Sequence, residues 1–467
     1  MSKKFLSLLL AALLSVTMLT GCGLNELGYL SLSKEISKLT EFSFENSTQV
    51  ELSKKLAGES YNIDIKLTGE ANLKKLDDMY LSFDMLLKVN DIEIKKPIKF
   101  IIADNKLYLS KTALIELIAL EKLVDINKSS EKIINELLNN DLKDVEYILL
   151  TELDEYNNKI SNEELSELAV NYITKAFKGF DSKLVTKTSK GYSFELNSEN
   201  ILVFLKSLFK YLAENKELVF NETIDYINKV YENLEIKDIT DEQKQEIINE
   251  IEESRQEFYD FIDEAVEALD SDEFADYVKL IKGSKIKEEI YKSGSAYNQT
   301  ISSAIVIEGE NYLKLSSNTA IKPEAIEKKK VVGNIIKSEE LSELYNKAEN
   351  KINPVKKMEF EWFSEGYEAN VNKTRLEGNS SVDFQPYIIV EGRIYLPLRY
   401  ICESFGEEVE WDNDNRKTYI IRGSEKIDMT GIIVDSKTMI KIRDFERLGY
   451  KVGYTQENGL SKATLEK

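Results

Sequence analysis

The sequence predicts an α+β protein: an antiparallel sheet with helices, followed by a small α+β domain with repeated β-α-β-β units. Three observations predict it. Apolar and polar residues alternate with period two over residues 33–112 and again over 296–315. Between these, apolar residues recur at helical spacing over residues 165–270. The last quarter differs in composition, holding Pro354, Pro386 and Pro397 of only five prolines in the chain. A length of 467 residues exceeds what one ordinary core holds, so two or three domains are expected.

At the N-terminus, Lys3 and Lys4 precede an apolar run over residues 5–19, short for a membrane span, which ends in Leu19-Thr20-Gly21-Cys22. This resembles the lipobox of bacterial lipoproteins, in which cleavage falls just before a Cys that takes a diacylglycerol thioether. The resemblance implies a signal peptide over residues 1–21, lipidation (palmitate) at Cys22, export, and attachment to the outer face of the cell membrane. Residues 22–33 then read as a tether. The only other cysteine, Cys402, has no intramolecular partner, so the exported fold is expected without disulfides. It falls on the inward side of a short helix and reads as a small buried hydrophobe.

The chain contains no His. That removes Ser-His-Asp and Cys-His nucleophiles and imidazole ligation of zinc, copper, iron or haem. Carboxylate, Lys or Ser-Lys chemistry and oxygen-ligated Ca²⁺ or Mg²⁺ stay open, but no metal site or cofactor is expected. The net charge of −21, with no long basic stretch, argues against nucleic acid as a partner and for a solubilising acidic surface.

Residues 34–323 read as one sheet-plus-helix body. Tyr61-Asn-Ile63-Asp-Ile65-Lys-Leu67 and Met79-Tyr-Leu81-Ser-Phe83 alternate strictly, and Ile92-Glu-Ile94 and Phe100-Ile-Ile102 follow. Asp104-Asn105 supplies a turn into Leu107-Tyr-Leu109, and Pro97 suggests an edge or bulge. Leu165, Leu168, Ala169, Tyr172, Ile173, Ala176 and Phe177 make one helical face, stopped by Lys178-Gly179. After the strand Tyr192-Ser-Phe194-Glu-Leu196, Asn197 or Ser198 is expected to cap a helix whose apolar face holds Ile201, Phe204, Leu205, Leu208, Phe209 and Leu212. One long acidic helix is expected over residues 240–270. Ile305 to Ser316 echoes Phe100 to Ser110 in its strand, polar turn and Tyr-bearing strand. This layout resembles the curved half-barrel, with helices on its concave side, of LolA- and LppX-like lipoprotein carriers. The resemblance is one of architecture, without a shared motif. It implies an apolar ligand.

Residues 324–366 read as a charged helical connector ending at Asn353-Pro354. Over residues 367–467 the resemblance becomes specific. Ile394-Tyr-Leu-Pro397-Leu-Arg399, Glu403-Ser-Phe-Gly406, Val409-Glu-Trp411-Asp412 and Thr418-Tyr-Ile-Ile-Arg422 resemble the copper amine oxidase N-terminal (stalk) domain. Pro397 is expected to end a strand and open a helix, Arg399 to pair with Glu403, Gly406 to reverse the chain at positive φ, and Val409 and Trp411 to alternate inward. The unit repeats: Met439 to Arg443, then Gly449, Val452 and Tyr454, parallel Tyr395 to Arg399, Gly406, Val409 and Trp411. Its second helix is expected to be less regular. In copper amine oxidases this domain is remote from the copper and the quinone, and it recurs as an accessory in exported proteins of Gram-positive bacteria. The resemblance therefore implies a structural module and no oxidase activity.

Asp412 to Lys417 fails as a calcium loop because Arg416 and Lys417 stand where a ligand and Gly belong, and Asp270-Ser-Asp272-Glu-Phe274 fails at Phe274. The expected function is a non-catalytic cell-surface lipoprotein that binds or scaffolds, holding an apolar or cell-wall (glycan or protein) ligand. Two alternatives stay open. One is a structural or adhesion protein using the stalk domain. The other is a hydrolase using carboxylates such as Asp260, Asp263, Glu264 and Glu267.

Overall fold

The computed structural model describes residues 23–74, 78–119, 128–153, 162–233, 240–363, 368–377, 380–457 and 460–467. The expected signal peptide, Cys22 and the side chain of Leu165 lie outside the described residues. The protein mixes helix and sheet, and the sheet of its first part is a curled half-barrel.

In chain order the elements are α1 (Leu24–Ser37), β1 (Glu41–Leu52), β2 (Tyr61–Asn72), β3 (Tyr80–Val89), β4 (Ile92–Glu93), β5 (Ile98–Ala103), β6 (Lys106–Ser110), α2 (Thr112–Ala119), α3 (Lys128–Asn139) and β7 (Val145–Glu152). There follow α4 (Asn162–Ala176), β8 (Val185–Lys187), β9 (Gly191–Asn197), α5 (Ile201–Glu214), α6 (Lys216–Asn233), α7 (Asp241–Glu253), α8 (Arg255–Leu269) and α9 (Asp272–Leu280). The sheet then resumes with β10 (Lys285–Ser293), β11 (Ala296–Ile307) and β12 (Glu310–Pro323), before β13 (Asn334–Lys337) and α10 (Ser338–Ile352). The C-terminal part holds β14 (Val355–Phe363), β15 (Glu368–Arg375), β16 (Ser380–Pro386), β17 (Ile388–Val390), β18 (Arg393–Pro397), α11 (Leu398–Ser404), β19 (Glu408–Asp412), β20 (Lys417–Arg422) and β21 (Glu425–Asp428). It ends with β22 (Ile432–Val434), β23 (Lys437–Lys441), a 3₁₀ helix (Ile442–Leu448), β24 (Lys451–Glu457) and β25 (Leu460–Glu466).

The chain divides into two compact units, residues 1–120 with 149–333, and residues 121–148 with 334–467. In the first, antiparallel strands run in the order β6-β5-β3-β2-β1-β12-β11-β10-β9-β8. The late strands β10 to β12 thus close onto β1, completing a sheet begun before the helices. Asp104 and Asn105, at φ of 51° and 56°, form the two-residue turn between β5 and β6, and Glu308-Gly309 does the same between β11 and β12. These are the two segments that echo each other in sequence.

Helices pack at the β8-β9-β10 end. Phe177, Phe180, Phe204, Leu205, Leu208 and Leu269 enclose Val185, Phe194 and Leu196 from the strands. Two expectations need correction here. The long acidic helix breaks at Ser254 into α7 and α8, where the Ser254 hydroxyl donates to the carbonyl of Ile251 at 2.7 Å and so competes with the helical ladder. The residue at the helix N-cap is Asn200, three positions after Asn197 and two after Ser198, and Asn197 accepts the N–H groups of Glu199 and Asn200.

Residues expected as a tether form α1. It docks on β8, β10 and β11 through Asn25 Nδ2 to the Val185 carbonyl (3.3 Å), Tyr29 Oη to Glu288 (2.8 Å) and the Tyr297 hydroxyl to Glu35 (3.1 Å). Gly28 permits the approach: a Cβ there would lie 2.1 Å from Tyr192 Oη. Composition hid this helix, because its anchors are long-range polar contacts and not an apolar stripe.

In the second unit, α10 packs with α3, as the Asn353 amide donates to Ser129 Oγ at 3.4 Å and Lys351 pairs with Glu136 at 3.1 Å. Arg375, only 5% exposed, ties β15 to the end of α10 through Glu349 (2.5 Å), Asn350 Oδ1 (3.2 Å) and the Asn353 carbonyl (2.8 Å). The helix read as a connector is thus part of this unit's body. The two copies of the repeat meet at β18 and β23, where Tyr395 pairs with Lys441, Leu396 with Ile440 and Pro397 with Met439. Under the sequence equivalence this register is symmetric about Leu396 and Ile440, so the repeat forms a local pseudo-two-fold. Leu396, Leu398, Ile401, Ile440 and Phe445 lie in one buried core with Met358, Phe360 and Trp362.

Candidate functional site

The first candidate is one face of the curled sheet. Side chains alternate across a strand, and the pairing register places the apolar set on one side. Phe42, Phe44, Val50 and Leu52 of β1 share that side with Ile63, Ile65 and Leu67 of β2 and Leu81, Phe83, Met85 and Leu87 of β3. It continues through Phe100 of β5 and Leu313, Leu315 and Ile321 of β12 to Tyr297, Ile301 and Ile305 of β11. Phe83 stacks on Phe100 with ring centroids 5.0 Å apart. The opposite side of β1 carries Glu45, Ser47, Gln49 and Glu51, all exposed.

The helical cluster reaches β8, β9 and Ile286 of β10 but includes no residue of β1, β2, β3, β11 or β12. Accordingly Ile63, Ile65, Leu67, Met85, Leu87, Leu313 and Leu315 are half-buried, not sealed in a core.

A polar string crosses this face. Asn46 Nδ2 donates to Ser317 Oγ (2.9 Å) and Thr319 Oγ1 (2.8 Å), Thr48 Oγ1 donates to Asn46 Oδ1 (2.9 Å), and the Thr48 and Ser317 hydroxyls meet at 2.8 Å. With the Thr48 proton on Asn46, Ser317 must donate to Thr48, which closes a ring in which each donor has an acceptor. Gln299 donates to Glu288 at 2.7 Å, and Glu288 also accepts from Tyr29, whose hydroxyl is pushed up by burial and then by the Glu288 charge. Polar groups satisfied among themselves can be covered by an apolar ligand without leaving orphaned donors.

The second candidate gathers the motif residues. Pro397 ends β18 and precedes α11, and Gly406, at φ of 78°, turns the chain out of α11 with its N–H on the Glu403 carbonyl. Arg399 Nη1 donates both to Glu403 Oε1 (2.9 Å) and to the Val409 carbonyl (3.0 Å), linking the helix to β19. Val409 is buried and Trp411 half-buried, with the indole N–H on Asn413 Oδ1 at 2.7 Å. Pro397, Arg399 and Trp411 come together as the lining of a cleft of about 280 Å³, with Tyr400, Gln385 and Lys437. Gly406 and Val409 are not in its lining. The cleft was not readable from the motif, because Lys437 and Gln385 reach it only through the sheet pairing.

Cys402 lies in the core with no exposure, and burial pushes its thiol up to about 12. Asp260, Asp263, Glu264 and Glu267 are exposed on α8, and Asp263 is held by Lys216 at 2.6 Å. Asp412 accepts the N–H groups of Asp414 and Asn415 at 3.0 Å each and so closes a hairpin turn. Among the described residues no group of three or more acidic or Cys side chains is placed to hold a metal.

A family model described as copper amine oxidase N-terminal domain matches residues 370–431. That domain is the non-catalytic one of those enzymes. No curated protein matches. A crystal structure of an AttH from Nitrosomonas europaea aligns over 92% of each chain at 6% identity with a TM-score of 0.13, a likeness too low to carry an argument.

Proposed function

We propose that this protein is a non-catalytic lipoprotein of the outer face of the cell membrane that holds an apolar ligand on the open face of its curled sheet. The carrying observation is the half-buried run of Ile63, Ile65, Leu67, Met85, Leu87, Leu313 and Leu315, apolar side chains on one sheet face that the helical core does not cover. The satisfied ring of Asn46, Thr48 and Ser317 supports the same reading. So does the short lead: with Cys22 as the lipidated residue, Gly23 alone precedes α1. The anchor would then keep the body against the bilayer, where apolar ligands are found. The stalk domain supplies contact with the wall or another protein, in keeping with its fully packed core.

Titration of the purified protein with a fluorescent fatty acid tests the ligand reading. Saturable binding, competed by unlabelled lipid and weakened by Leu67→Asp with the circular dichroism spectrum unchanged, is expected. Non-saturable partitioning, equal in the wild type and Leu67→Asp, would favour a purely structural or adhesive protein. Metabolic labelling with an alkynyl palmitate tests the anchor separately. Label on the wild type and none on Cys22→Ser is expected, and an unlabelled wild type overturns the anchor.

A further inference from the structure

We infer that the cleft beside Trp411 is a binding site for a single sugar unit that carries a carboxylate. Its volume, about 280 Å³, lies just below the range of drug-sized ligand sites, which starts at roughly 300 Å³, and suits one ring and not an extended chain. Its lining combines an aromatic plate with polar groups of both kinds, the combination a sugar needs for its apolar C–H face and its hydroxyls.

Trp411 supplies the plate. Its N–H is already committed to Asn413, which fixes the ring, and the side chain is half-buried on the cleft wall. In the lining, the Thr418 and Thr438 hydroxyls lie 2.7 Å apart. One donates to the other, so the acceptor's own proton remains to be offered. Thr418 is 3% exposed, so that pair is a built feature and not a mobile surface group.

Arg399 commits Nη1 to Glu403 and Val409, leaving Nε and Nη2 hydrogens on a guanidinium fixed in place. Gln385 adds an amide. Arg399 and Glu403 offset each other, and Lys437, exposed and without an ion-pair partner among the described residues, leaves the cleft with one positive charge. In a chain of net charge −21 a cationic cleft is selective by sign, since an acidic ligand is repelled from most of the remaining surface. This inference does not depend on the apolar face of the first unit.

Ligand-observed NMR titration of the full-length chain in detergent tests it, with digalacturonate, neutral galactobiose and an Ala-rich tetrapeptide as probes. Digalacturonate should bind more tightly than galactobiose, and the tetrapeptide should not saturate. Trp411→Ala should weaken both sugars about tenfold, the loss of roughly one aromatic contact. Lys437→Glu, at an exposed position that folding does not need, should weaken digalacturonate alone, by about threefold, as an exposed charge contact does. Emission of Trp362, 4% exposed against Tyr387 and Tyr454, checks the fold of each variant. Three results overturn the inference: no saturation by either sugar, saturation by the tetrapeptide alone, or unchanged sugar binding in a folded Trp411→Ala.

Discussion

Glu407→Gln is the sharpest probe of how the two copies of the C-terminal repeat are held together. The Glu407 side chain is 4% exposed, directly after the Gly406 turn. It accepts from Arg422 Nε at 2.8 Å and from Arg422 Nη2, from the Lys467 ammonium, and from Tyr450 Oη at 3.3 Å. Arg422 also donates to the Leu448 carbonyl at 2.7 Å, so one carboxylate joins α11, β20, the 3₁₀ helix and the last residue of the chain. The amide keeps the shape, loses the charge, and turns an NH₂ toward a cation. Each charge-assisted hydrogen bond contributes about 1.5–3 kcal/mol. Arg422 and Lys467 are 33% and 40% exposed and regain water once released. The net loss should therefore be about 2–3 kcal/mol, below the 3–5 kcal/mol of a fully buried broken pair.

The assay is urea unfolding followed by tryptophan emission at pH 7. Trp362 and Trp411 are the chain's two tryptophans and both fall in the second unit, so the signal reports that unit alone. Burial raises the Glu407 carboxyl, but the hydrogen bonds from Arg422 and Lys467 outweigh it and hold it below 4.5. The stabilisation is thus complete above pH 4.5 and is lost as pH falls through the lower folded value. The wild type and Glu407→Gln should differ in midpoint at pH 7, and the gap should narrow as pH falls below 4.5. Equal midpoints at pH 7, or a gap that widens as pH falls below 4.5, would refute it.

Four further outcomes are expected. Gly406→Ala should cost about 1–2 kcal/mol in the same unfolding assay, since φ is 78° and a Cβ would sit 3.2 Å from the Asn350 carbonyl. Arg375→Ala should cost about 3 kcal/mol, because it leaves Glu349 without its buried partner, and the midpoint should fall accordingly. Iodoacetamide should leave Cys402 unmodified in the native protein and alkylate it in guanidinium chloride, as a thiol with no exposure and a pKa of about 12 requires. Gly28→Leu should undock α1 and open residues 24–37 to limited proteolysis, because the Tyr192 ring would have to leave its place.

Local patterns in the sequence carried much of the architecture. The alternation in Tyr61 to Leu67 and Met79 to Phe83 predicts strands whose apolar side faces one way, and the register bears this out. Gly406 was readable because only a residue free of Cβ turns a chain cheaply at that φ. The features that escaped are those set by distant partners. Helix α1 depends on Glu288 and Val185, some 160 to 260 positions away, and its own sequence shows no strong stripe. Residues 128–139 read as part of the first body but fold with α10 of the second unit. The motif predicts only that Arg399 pairs with Glu403 and that Trp411 alternates inward. That reading omitted the cleft they line, because Lys437, Thr438 and Gln385 come from other strands.

The central claim is that the open face of the curled sheet holds an apolar ligand. Native mass spectrometry of the protein purified in mild detergent, followed by solvent extraction and lipid analysis of the same sample, tests it most directly. A discrete adduct of lipid mass at one or a few equivalents, released on unfolding and reduced in Leu67→Asp, is predicted. A bare polypeptide mass, apart from any covalent lipid at Cys22, with no extractable lipid and no uptake of added lipid, would contradict it.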